Sequence, residues 1–155
     1  MTLPTIVPAK YNGTVTDFLV VKADRSGALR MEPFSDTVPA TTVTGVIIGM
    51  VPFRKGARLV IDASEIFVDT AAGASATANI GVVYNDNVTF TNNQTLYASG
   101  VSTNAIGRLV MTPTAANEAY STLDDGWFVI TTAGATTTNQ FVVHGQMVLT
   151  YDPVN

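Results

Sequence analysis

The sequence predicts an all-β fold, a β-sandwich wound as a jelly roll, with an extended N-terminal arm. Three observations carry that reading. First, 23 Thr, 20 Val and 8 Ile make 51 of 155 residues β-branched. Such side chains are stiff at χ1 and suit a pleated surface. Second, the clearest pattern in the chain has period two: Phe141, Val143, Gly145, Met147, Leu149 and Tyr151 share one parity, against a more polar set containing His144 and Gln146. Third, the apolar runs are short, Gly, Asn, Asp and Thr separate them, and no stretch repeats convincingly at 3.6 residues. The length suits one domain with its own core, and 46% hydrophobic residues with a mean hydropathy of +0.27 exclude a disordered chain.

The elements follow in order. Residues 1–14 form the arm, because Pro4 and Pro8 remove amide donors before an Asn12-Gly13 turn signal. Residues 15–155 form a single sandwich domain. Strands are expected at residues 18–22 and at 28–32, the second stopping at Pro33. Residues 43–51 read as a strand buried on both faces, where Gly45 and Gly49 mark bulges or close packing. Residues 58–69 read as one strand with Leu59, Ile61, Ala63 and Phe67 on one face. Residues 76–85 place Ala78, Ile80, Val82 and Tyr84 together. Residues 85–103 are the longest irregular connection. Strands at 106–112, 126–133 and 138–151 complete about eight, and residues 113–121 have room for one helical turn. An immunoglobulin-like sandwich is the runner-up, without its Cys…Trp…Cys signature.

Charge narrows the function classes. Eight basic against twelve acidic residues give a net charge of −4. That excludes the basic stripe of a nucleic-acid binder. Arg54, Lys55 and Arg58 form the only basic cluster and read as a solvated loop. There is no signal-peptide pattern and no apolar run long enough to span a bilayer, so synthesis in a cytoplasm is expected. The sequons at Asn12, Asn87 and Asn93 are of the number that a chain rich in Thr and Asn forms by chance.

Chemistry is sparse. A single histidine, His144, lies mid-strand, there is no cysteine, and no G-x-S-x-G turn is present. Asp62, Glu65 and Asp69 are close in sequence, but on one strand the 62/65 offset puts two of them on opposite faces. Asp86 between Asn85 and Asn87 offers oxygen ligands without the rest of a calcium loop, and no zinc set can be built. The expectation is therefore no enzyme, no catalytic residues, no cofactor and no metal. Trp127, Tyr84, Tyr97 and Tyr120 are the aromatics that could stack on sugars. Trp127 is read as core, with a surface platform as the alternative, and at least one of Trp127 and Phe128 must be core.

Residues 46–152 resemble the capsid decoration, or cement, proteins of tailed bacteriophages. The resemblance rests on Val51-Pro52-Phe53-Arg54-Lys55-Gly56-Ala57-Arg58, the Ala/Gly/Thr loop at 70–78, and Ile80-Gly81-Val82-Val83-Tyr84-Asn85. The Leu96-Tyr97-Ala98 segment, the run from Trp127 to Thr136 and the closing Leu149-Thr150-Tyr151-Asp152 complete it. It implies a non-enzymatic virion protein on the capsid exterior, a homotrimer whose partner is the major capsid protein. Leu3, Pro4, Ile6, Val7 and Pro8 of the arm, apolar and stiffened by proline, are the candidate contacts to capsid or sister subunit. A carbohydrate-binding sandwich and a tail or fibre component are the alternatives.

Overall fold

A computed structural model describes residues 29–151, together with the backbone of two short strands, β1 (Ala9–Tyr11) and β2 (Thr14–Thr16). These two pair antiparallel, Ala9 opposite Thr16 and Tyr11 opposite Thr14. Residues 9–11, read as arm rather than strand, are therefore a strand. The candidate contacts Leu3, Pro4, Ile6, Val7 and Pro8, and the strand expected at 18–22, lie outside the described residues.

The remaining strands are β3 (Arg30–Val38), β4 (Ile47–Phe53), β5 (Ala57–Leu59), β6 (Glu65–Val68), β7 (Ala76–Tyr84), β8 (Asn93–Ser102), β9 (Gly107–Arg108), β10 (Gly126–Gly134) and β11 (Phe141–Tyr151). They form two packed antiparallel sheets, an all-β sandwich. One sheet runs β4-β10-β7-β8, and the other runs β3-β11-β6-β9 with β5 also on β11. Between them lies the core. Phe128, Ile130, Ile80, Val82 and Val51 come from the first sheet, and Ile66, Val68, Val143, Met147 and Leu149 from the second. Burying each such side chain contributes about 1.5–3 kcal/mol.

The strands expected over 76–85, 126–133 and 138–151 appear as β7, β10 and β11, and Ala78, Ile80, Val82 and Tyr84 are all buried on the inner side of β7. A single helical turn, α1 (Ala115–Glu118), sits within 113–121, and the Thr114 hydroxyl at its start accepts from the Asn117 amide.

Elsewhere the strands depart from expectation for identifiable reasons. β3 and β4 run through Pro33 and Pro52 because each is the outermost strand of its sheet. An edge strand tolerates a residue without an amide donor. The strand expected at 43–51 starts only at Ile47. The Thr132 hydroxyl holds residues 43–46 in a turn, donating to the Val43 carbonyl at 2.6 Å and accepting from the Val46 amide at 3.0 Å. Nor is β4 buried on both faces, since Met50 is 51% exposed. Its pairing with β10 jumps from Gly49–Ile130 to Ile47–Thr131, so Ile48 is the extra residue of a bulge and reaches the core. Gly49 packs tightly, because a side chain there would press on Phe34 and Ile130 at 3.1 Å.

The single strand expected over 58–69 is two, β5 and β6, with a 3₁₀ turn at Ile61–Ala63 between them. That turn resets the parity: Ile66 and Val68 are buried, whereas Ile61, Ala63 and Phe67 are not. Val148 of β11 lies opposite the break. Its carbonyl accepts from the Val60 amide at 2.8 Å and its amide donates to the Ser64 hydroxyl at 2.9 Å. The buried Ser64 thus fills the gap in the ladder. Residues 106–112 pair only over β9, leaving Ile106 and Val110 exposed. The long connection expected over 85–103 is irregular only to residue 92, because β8 occupies 93–102. A bulge hides β8 from a period-two reading: the three residues of β7 from Ile80 to Val82 face the whole span from Ala98 to Asn93. The strand folds over Gly81, where any side chain would overlap the Asn93 carbonyl.

Candidate interaction surface

His144 stands exposed on the outer face of the β3/β11 sheet, its ring stacked on Phe67 at 5.9 Å. Three of the carboxylates, Asp69, Asp86 and Asp125, accept backbone amides. Asp62 sits in the 3₁₀ turn, so the strand-offset argument that separated it from Glu65 does not apply. Asp69 accepts the Val142 amide at 2.6 Å and ties the end of β6 to β11. Asp125 accepts the Lys55 amide at 2.9 Å. Asp86 accepts the amides of Val88 and Thr89 at 3.0 and 3.1 Å, closing its own turn. Hydrogen bonds from Thr89 first, then Val88, hold its carboxyl below the usual range. Among the described residues no three His, Cys, Asp or Glu side chains converge as a metal set. None of their helices is long and apolar enough to cross a membrane.

The aromatics divide in a way the sequence did not show. Tyr84 and Tyr97, candidates for sugar stacking, are 3% and 1% exposed and belong to the core. Tyr97 packs on Phe128, and Tyr84 packs on Phe53 and Phe90. The hydroxyls of Tyr84 and Tyr120 are hydrogen-bonded at 2.6 Å. Burial first, then the neighbouring tyrosines, raises the phenols of Tyr97 and Tyr120 above their usual range. Phe128 is the core member of its pair. Trp127, expected as core, is half-buried on the outer face of β10, where its register partners are Pro52 and Val83. No amide or carboxylate flanks it in those positions to orient a sugar.

The outer faces of the two sheets differ in charge. No residue of β4, β7, β8 or β10 is Asp, Glu, Lys, Arg or His. The other sheet carries Arg58, Glu65, Arg108 and His144 on its outer face, and Arg30, Glu32 and Asp36 on its edge strand. Arg30 and Glu32 form an ion pair. The basic cluster is divided: Arg54 and Lys55 are exposed on the turn after β4, and Arg58 is half-buried in β5. A groove of about 140 Å³, lined by Phe34, Ser35, Asp36, Gly49 and Met50, opens between the two edge strands. That is below the size of an ordinary small-molecule pocket.

No family pattern and no curated protein matches the chain. Its fold is similar to that of a chain in the solved structure of the cyanophage Pam1 capsid asymmetric unit. The TM-score is 0.57 at 16% identity, with 95% of this chain and 100% of that chain covered. At that identity the likeness speaks for the fold.

Proposed function

We propose that this chain is a non-enzymatic structural protein of a phage virion, a cement or decoration protein that binds the outer surface of the capsid and braces it. The observation that carries the reading is the likeness to a chain of a cyanophage capsid asymmetric unit, which extends over the whole of that chain. The strand orders β4-β10-β7-β8 and β3-β11-β6-β9 support it. They fit the winding of two Greek keys in a jelly roll, an architecture common in viral capsid proteins. A structural role also fits side chains that close turns and ladders rather than converge on a site. We further propose a homotrimer in which Leu3, Pro4, Ile6, Val7 and Pro8 reach the major capsid protein or a sister subunit.

The test is co-sedimentation of the purified chain with mature, empty shells of the phage that encodes it, read alongside its mass in solution. Saturable binding at a fixed number of copies per shell is expected, with a solution mass near three times 16.3 kDa. Failure to bind shells overturns the cement reading. A chain lacking residues 2–10 should lose binding or trimerisation while its circular dichroism stays unchanged, and retention of both removes the arm from the account.

A further inference from the structure

We infer that the groove between the edges of β3 and β4 is the seat of the N-terminal arm of a second copy, with Ile6 in the groove and Lys10 against Asp36. The inference rests on the homotrimer reading and names the contact that closes it.

The groove has room for one side chain. Its volume of about 140 Å³ is lined by Phe34, Ser35 and Asp36 of one sheet and by Gly49 and Met50 of the other. A cavity of roughly 150 Å³ accepts a benzene-sized group, so a single branched aliphatic side chain fills this one. Met50 is 51% exposed and Phe34 half-buried, which leaves apolar surface open to solvent there. An added strand is not the occupant the edges favour, because Pro33 and Pro52 interrupt the amide donors of β3 and β4.

The arm fits in three respects. It carries separate apolar side chains, Leu3, Ile6 and Val7, on a backbone stiffened by Pro4 and Pro8. Its charge is complementary: Lys10 is the one charged side chain in residues 1–16, and Asp36 is exposed and, among the described residues, in no ion pair. On an extended chain Ile6 and Lys10 fall on the same side.

Length and pairing point to a second copy. The β1–β2 hairpin joins neither sheet of its own chain, and a lone two-stranded hairpin is marginal in water. Residues 17–29 span up to about 45 Å when extended, before the chain enters β3 at Arg30. That exceeds the roughly 35 Å width of a domain of this size. Each copy then gives one arm and receives another, a head-to-tail contact that closes into a ring about a three-fold axis.

The experiment uses the full chain, which has no cysteine, so an introduced pair is the only source of a disulfide. Ile6→Cys, and Val7→Cys as its neighbour, are each combined with Met50→Cys, oxidised with glutathione disulfide and run without reductant. Met50 is exposed, so the fold should survive, as circular dichroism will show. Linked species up to three times 16.3 kDa are expected. Less than a tenth as much should come from Ile6→Cys with Val110→Cys, a position 56% exposed beside β9, at the opposite edge from β3. Lys10→Glu should weaken trimer association about fivefold, and adding Asp36→Lys should restore it to within twofold of the parent. A trimeric parent that gives no link from either arm position overturns the seat and leaves the homotrimer standing. A parent mass of 16.3 kDa overturns both. Disulfides that close within single chains make the chain's own arm the occupant, and overturn the inference.

Discussion

The two sheets of the sandwich are built alike inside and differently outside. Each contributes one alternating, fully buried row to the core, Phe128 and Ile130 with Ile80 and Val82 from one, Val143, Met147 and Leu149 from the other. Outside, one sheet is interrupted at the 3₁₀ turn, relies on side chains to repair its ladder, and carries Arg58, Glu65, Arg108 and His144. The other is four continuous strands without a charge, and its irregularities are bulges. Period-two alternation determines which side chains enter the core and leaves the opposite parity free. The difference between the outer faces is therefore not required by folding.

Breaking what the sheets share has the largest effect. Phe128 is fully buried against Phe53 and Tyr97. Phe128→Ala should cost about 3–5 kcal/mol in urea unfolding, from lost transfer free energy plus the cavity left behind. A loss below about 1 kcal/mol would mean that the two sheets do not close on this ring.

The ladder repair separates the sheets next. Ser64 is buried, donates to the Val60 carbonyl at 2.8 Å and accepts from the Val148 amide. Ser64→Ala strips that buried amide of its acceptor and should cost about 1–3 kcal/mol. Hydrogen exchange at Val148 should quicken before that of Val129 on the charge-free sheet. Unchanged exchange at Val148 would show that the break needs no repair.

The legibility of the fold follows the same division. β10, buried from Phe128 to Thr132, was legible as an apolar run, and the alternations of β7 and β11 were legible because each meets neighbours along most of its length, so parity and burial largely coincide. Where a local device intervened, they did not. Thr132 draws residues 43–46 out of the strand that the Val and Ile content of 43–51 suggested. The turn at Ile61–Ala63 moves burial from Phe67 to Ile66 and Val68. The bulge of β8 buries Leu96, Tyr97 and Ala98 in succession, a pattern no strict alternation contains. Each depends on a partner distant in sequence, such as Thr132 for Val46 or Val148 for Ser64. The candidate groove was hardest to see. Phe34, Ser35 and Asp36 lie on one sheet and Gly49 and Met50 on the other, and only the closing of the sandwich brings the two edges together. The arm was legible from Pro4, Pro8 and the apolar residues around them, but its seat was not.

Alkaline pH tests the end of the core nearest the tyrosines. The phenols of Tyr97 and Tyr120 ionise above their usual value in the folded chain, chiefly through desolvation, Tyr97 in the core and the half-buried Tyr120 beside the Tyr84 hydroxyl. Below about pH 10, the unfolded value, both states hold these protons and the contribution to stability is complete. Above it the unfolded chain releases them first, so stability falls as pH rises. Absorbance at 295 nm should show these two ionising only together with loss of the β-sheet dichroism. Tyr120→Phe should remove one of them from that late step. Reversible ionisation of every tyrosine near pH 10 with the dichroism intact would contradict the burial.

The smallest effect is a gain, and it sharpens the contrast with Ser64. Thr131 lies in the middle of β10, on the outer face of the charge-free sheet, opposite Ile47 and Asn79. It is fully buried, and among the described residues its hydroxyl has no hydrogen-bond partner. A hydroxyl kept from water without a partner carries its desolvation cost uncompensated. Thr131→Val keeps the shape and removes that group, so it should stabilise the chain by about 1 kcal/mol in the same urea assay. Shell binding should stay within twofold of the parent, because the side chain is covered by its own neighbours and offers a partner nothing to touch. A loss of stability would mean that the hydroxyl is hydrogen-bonded after all, and that the two buried hydroxyls, one on each sheet, do the same work.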